Sequence, residues 1–201
     1  MDVYVESNFV LELALLQEQH KSCQELFDLA EAKRIRLIVP AFSLAEPYET
    51  LIRNNRKRQK LSEDLKKELS QLRRSQPYQE QIRTFEDTNA FLVSSQQEQK
   101  QRLDTVIEKI LEVCEIIPLT SKILTEAIKY QSEYNLEPQD SIVYASVIDH
   151  MSKFYERQRC FFNRNSKDFD DPDIKESLNS YECLMLFRFD NGIGYVKSKL
   201  K

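Results

Sequence analysis

Glycine is almost missing from this chain: only Gly192 and Gly194 occur in 201 residues. No GxGxxG and no GxxxxGK(S/T) can therefore be written anywhere in it, which excludes the glycine-rich phosphate loops of dinucleotide-binding and P-loop proteins. Histidine and cysteine are nearly as scarce. The four cysteines (Cys23, Cys114, Cys160, Cys183) lie far apart, no CxxC occurs, and only His20 and His150 are present to help them. A zinc site is not expected, and the thiols read as free, buried groups in a reducing compartment. No apolar run approaches the roughly 20 residues of a membrane span. The chain opens on strand-forming residues rather than on a basic and hydrophobic leader. A soluble, cytoplasmic protein with no membrane association is expected.

What is present is Glu, Gln, Lys, Arg and Leu, a composition in which helix should far outweigh strand. A hydrophobic content of 41% supports a core of ordinary size, and the length fits a single domain spanning 1–201. The net charge of −4 gives no whole-molecule attraction to nucleic acid. Locally the balance reverses: between Arg53 and Arg83 stand Arg53, Arg56, Lys57, Arg58, Lys60, Lys66, Lys67, Arg73, Arg74 and Arg83 against Glu63, Asp64, Glu68 and Glu80. Such an arm can track a phosphate backbone. It can equally be a solvated helical hairpin.

The apolar pattern predicts five short strands: Met1–Val5, Arg36–Pro40, Glu115–Leu119, Cys160–Phe162 and Glu182–Phe187. Helical spacing fills the intervals, at Phe9–Leu16, Cys23–Ala32, a segment opened by Ser43 as its cap, a run of helices from Leu61 to Leu111 broken at Pro77, Ile123–Tyr130, and a helix opened by Pro138. Strands alternating with helices over short links predict an α/β protein, a three-layer α/β/α sandwich around a mostly parallel sheet of about five strands.

Acids stand where such a sheet delivers polar groups. Glu6 follows the first strand, Glu46 follows the second on its helix, Asp140 lies in the first turn of the Pro138 helix, and Asn163, Asn165 and Asp168 follow the fourth strand. Carboxyl ends of parallel strands are where sites form. A cluster of carboxylates suits a hard divalent cation and, with it, phosphodiester hydrolysis. Taken singly each has a plainer reading: Glu6 as a solvated strand end, Glu46 and Asp140 as first-turn helix charge, Asn163, Asn165 and Asp168 as turn-formers.

Four segments resemble the PIN domain family. Val3-Tyr-Val-Glu-Ser-Asn-Phe-Val resembles its opening strand, Val39-Pro-Ala-Phe-Ser-Leu-Ala-Glu-Pro-Tyr-Glu its second block, Pro138-Gln-Asp-Ser-Ile-Val-Tyr-Ala its third, and Phe161-Phe-Asn-Arg-Asn-Ser-Lys-Asp-Phe its fourth. The resemblance covers the chain apart from roughly residues 54–111, which read as a helical insertion within the domain. It implies a ribonuclease dependent on Mg²⁺ or Mn²⁺, with Glu6, Glu46 and Asp140 as metal ligands and Asn165 orienting a ligand or the attacking water. Ser7, Asn8 and Asn163 would support them. Two departures stand out: Glu6 replaces the family's Asp, and Asn165 falls at the fourth acid with Asn163 at the Thr position, while Asp168 reads as a surface residue before Phe169. RNA is the implied substrate, held by Arg53, Arg56, Lys57, Arg58, Arg73 and Arg74. The setting is either a toxin with an antitoxin-like protein partner or a stand-alone nuclease, and a homodimer is compatible with the sequence. The rival from another class is a catalytically weak PIN-like module that binds RNA or protein.

Overall fold

The computed structural model describes residues 1–154 and 158–200, apart from the side chains at 79–81, 83, 84, 86, 87 and 89. Its elements in chain order are β1 (Asp2–Val5), α1 (Ser7–Leu15), α2 (His20–Glu31), β2 (Arg36–Pro40), α3 (Phe42–Leu72), α4 (Gln79–Val113), β3 (Glu115–Ile117), α5 (Ser121–Tyr134), α6 (Pro138–Met151), β4 (Arg159–Phe162), α7 (Ser166–Phe169), α8 (Pro172–Ser180), β5 (Cys183–Leu186) and α9 (Phe189–Ser198). The five strands form one sheet in the order β3-β2-β1-β4-β5, and every pairing is parallel.

Both faces of a parallel sheet must be covered, and the side-chain alternation shows how. Val3, Val5, Leu37, Val39, Cys160 and Phe162 point into one core, shared with α1, α2, α9 and part of α4. Tyr4, Ile38 and Phe161 point into the other, shared with α5, α6 and α8. The sandwich is three-layered. On the first face Phe162 stacks on Phe189, with ring centroids 5.2 Å apart. A β-carbon on Gly192 would lie 2.1 Å from the Phe162 ring, so glycine is what lets α9 approach the sheet.

Among the boundaries that differ from the sequence expectation, three are instructive. Ser43 is not a cap: α3 begins two residues earlier than that would require, with Ala41 in the cap position, and Ser43 is buried with its hydroxyl unpartnered. The Ala41 N–H donates to the Ile117 carbonyl at 2.9 Å, so pairing to β3 holds the chain until the helix starts. Glu182 stays out of β5 because its backbone is left-handed, with φ of 54°. The helical run between the second and third strands is one antiparallel pair, α3 and α4, joined through a 3₁₀ turn at Gln76–Tyr78 that contains Pro77. Residues 54–111 run along these two helices and the turn between them, and the pair is braced by Tyr48 donating to Asp104 at 2.8 Å and Arg58 donating to Gln99 at 2.7 Å. Its base is not separate from the sandwich, since Leu103 and Ile110 of α4 are fully buried in the first core.

Candidate metal-binding active site

The chain leaves β1 towards β2 and β3 on one side, then crosses over to β4 and β5 on the other. Connections from the adjacent strands β1 and β4 therefore depart in opposite directions, which opens a crevice at their carboxyl ends. A cavity of about 400 Å³ lies there. Glu6, Ser7 and Asn8 line it from the β1–α1 corner, Glu46 and Arg53 from α3, Glu137, Gln139, Asp140 and Val143 from the start of α6, and Asn163, Asn165 and Asp168 from the β4–α7 turn. Four separate segments thus bring Glu6, Glu46 and Asp140 to one cavity, with Asp168 beside them.

Glu6 is held tightly. It is the N-cap of α1 and 5% exposed. One carboxylate oxygen accepts from the Asn8 backbone N–H at 2.8 Å, the Ser7 hydroxyl at 2.9 Å and the Asn8 amide at 3.3 Å. The other accepts from the Arg164 N–H at 3.4 Å. Burial pushes its pKa up to about 6 against the downward pull of these donors. Asp140 is likewise raised to about 6, first by burial, then by the negative charges of Asp168, Glu46 and Glu137, while its bond to Asn165 opposes the shift. For Glu6 burial alone raises the value, whereas for Asp140 the neighbouring acids add to it.

Asn165 does not present its carbonyl oxygen to the acids. Its Nδ2 donates to Asp140 Oδ2 at 2.8 Å and to Asp168 Oδ2 at 2.7 Å, bridging the two. Its backbone N–H donates to Asn163 Oδ1 at 2.8 Å, and Asn163 is buried as a turn-former. Asp168 is the residue that sequence reasoning put on the surface. The fully buried Phe169, edge-on to Phe161 with centroids 6.0 Å apart, anchors the single turn α7 and swings Asp168 inward. The available signal was the three-residue spacing of Asn165 and Asp168, neighbours on one helical turn. Glu137 and Gln139 were also missed; both flank Pro138 at the helix start.

The donor chemistry fits Mg²⁺ or Mn²⁺, since every anionic group is a carboxylate oxygen. The geometry is open: among the described residues, no three His, Cys, Asp or Glu side chains converge closely enough to hold one ion. The carboxylates stand around the cavity, and the amide of Asn165 fills the gap between two of them.

Behind the site lies a polar network that the sequence did not reveal. Arg164 turns away from the cavity to pair with Glu12 of α1, which is fully buried. The second oxygen of Glu12 accepts from the Gln19 N–H at 2.7 Å, and Gln19 in turn accepts from the Phe189 N–H at 2.7 Å at the start of α9. The β4–α7 turn is thereby tied to α1, α2 and α9. Of the basic arm, Arg53 alone lines the cavity. Arg56, Lys57, Arg73 and Arg74 are exposed farther along the helical pair, and Arg58 is engaged by Gln99.

An α/β sandwich with acids gathered at this switch point defines the class, and the sequence comparison agrees. The PIN domain family profile matches residues 3–169, and the chain belongs to that family. PIN domains are in general nucleases that use divalent metals. No curated protein matches the sequence. Among solved structures the chain is similar to VapBC2 from Rickettsia felis, crystallised bound to a DNA fragment from their promoter, at 14% identity over 92% of this chain and 98% of that one, with a TM-score of 0.46. Among the described residues no helix is long and apolar enough to cross a membrane.

Proposed function

We propose that the protein is a ribonuclease dependent on Mg²⁺ or Mn²⁺. The observation that carries this is the meeting of Glu6, Glu46, Asp140 and Asp168, from four segments, around one cavity at the switch point of the sheet. Gathering carboxylates in a partly buried cavity is costly unless a cation joins them, and the pKa of Asp140, raised by burial and by Asp168, Glu46 and Glu137, shows that cost. In this assignment ligands to the ion would be drawn from these four acids, brought closer together than the structure places them. When bound, the metal supplies charge stabilisation at the phosphate and a water acidified enough to attack it. The chain's own residues do the positioning: Ser7 and Asn8 fix the Glu6 carboxylate, Asn163 shapes the turn, and Asn165 orients Asp140 and Asp168 towards each other. Residues 54–111 act as an inserted arm of the single domain, and Arg56, Lys57, Arg73 and Arg74 contact RNA phosphates, which position a strand without specifying it.

Incubating the purified protein with unstructured RNA tests the assignment. Cleavage that needs Mn²⁺ or Mg²⁺, stops with EDTA and is lost in Asp140→Asn supports it; no cleavage with either ion overturns it. Two observations favour a second reading, that of a catalytically weak binding module: Asn165 already bridges Asp140 and Asp168, and among the described residues no three acids converge. That reading expects RNA or protein binding without metal-dependent cleavage. A toxin paired with an antitoxin-like protein and a stand-alone nuclease are the two settings the family offers.

A further inference from the structure

Among the described residues, five carboxylates line the cavity, from Glu6, Glu46, Glu137, Asp140 and Asp168, and Arg53 is the one cationic side chain. Arg53 follows Glu46 by seven residues on α3. Seven residues are two helical turns, so both side chains leave the same face of the helix about 10 Å apart along its axis. Glu46 therefore sits towards the sheet and Arg53 at the cavity mouth. The guanidinium is exposed, and among the described residues it makes no ion pair, although five acids share its cavity. Its planar fork of donors matches the geometry of a phosphate.

We propose that Arg53 grips the scissile phosphate itself, acting in the reaction, while the rest of the basic arm only tracks the strand. The inference rests on the ribonuclease assignment. The charge pattern supports it: a polyanionic substrate entering a cavity lined by carboxylates meets repulsion, and the other described arm residues do not line that cavity. A guanidinium on the cavity wall offsets it at the point where charge grows during attack. Arg56 and Lys57, three and four residues further along the helix, are exposed and do not line the cavity.

The test compares wild type, Arg53→Ala, Arg53→Lys and, as a neutral control on α5, Lys129→Ala. Two measurements are made: steady-state cleavage of an unstructured oligoribonucleotide with Mg²⁺, and the extra thermal stabilisation that inorganic phosphate gives in the presence of Mg²⁺. The expected result for Arg53→Ala is a kcat lower by on the order of 100-fold with KM changed little, and loss of the phosphate shift. Its melting point without ligands should equal that of wild type, because the residue is exposed. Arg53→Lys should recover part of both, since it restores charge without the fork. An unchanged kcat with a raised KM, and a phosphate shift that survives in Arg53→Ala, would return Arg53 to the arm and overturn the proposal while leaving the ribonuclease assignment intact. A wild type that neither cleaves nor responds to phosphate overturns both.

Discussion

Asn165 reaches across from α7 to Asp140 on α6, donating its Nδ2 at 2.8 Å, and the same nitrogen donates to Asp168 at 2.7 Å. A neutral amide thus stands between two acids where the family pattern leads one to expect a third carboxylate. Asn165→Asp replaces this donor by an anion beside two others. In metal-free buffer the variant should melt lower than wild type, and Mn²⁺ should bind it roughly tenfold more tightly, about 1.4 kcal/mol. Isothermal calorimetry checks this; equal affinity and stoichiometry in the two proteins would leave Asn165 with a turn-forming role alone.

Metal should act on the folded state. Mg²⁺ or Mn²⁺ should raise the melting temperature by mass action, and Glu6→Gln, Asp140→Asn and Asp168→Asn should each lose that response. Thermal unfolding with and without Mn²⁺ decides it. A response that persists in all three places the ion elsewhere.

Stability of the metal-free protein should depend on pH in a specific direction. Glu6 and Asp140 have folded-state pKa values of about 6, above their ordinary values of 4.5 and 3.8. The folded protein binds these protons more tightly, so the contribution of both groups is full below about pH 4, falls as the pH rises through 6, and is flat above. For Glu6 a rise from 4.5 to about 6 corresponds to about 2 kcal/mol. Urea midpoints measured in EDTA should therefore show a steeper fall between about pH 4 and 7 in wild type than in Glu6→Gln or Asp140→Asn. Identical slopes in all three would mean that neither carboxyl is strained.

The arm should reveal itself in salt dependence. Arg56→Ala with Lys57→Ala should lower the slope of log affinity for single-stranded RNA against log salt by about 0.7 for each lost phosphate contact. Arg58→Ala should differ, because Arg58 is committed to Gln99 across the helical pair. Its loss should loosen the arm, seen as faster hydrogen exchange there, with little change of slope. A slope unaltered in the double variant makes the arm a solvated surface.

Glu12 is fully buried and answered by Arg164. Arg164→Ala would leave that charge without its counter-ion, at a cost of about 3–5 kcal/mol. Glu12→Gln with Arg164→Met should recover most of the loss in a denaturant titration, since a double change removes both charges.

Much of the architecture was legible in the sequence because it rests on local rules. Runs such as Arg36–Pro40 and Arg159–Phe162, each followed by a helical pattern, specify parallel strands, and Pro138 with Asp140 marks a helix start by the chemistry of its free N–H groups. Residue order also set Glu6 and Glu46 after strands that end at one edge and Asp140 in a helix first turn, but that all three line one cavity is read from the fold. Asp168 and Glu12 were not legible. What turns Asp168 inward is the burial of Phe169 against Phe161, and what makes Glu12 a buried ion pair is Arg164, 152 positions away. The direction of the Asn165 amide belongs here too, because it depends on two acids held by different elements. Period and punctuation in a sequence determine which backbone forms and at which sheet edge it ends. Which side chains then face one another depends on long-range packing, and only the folded chain decides that.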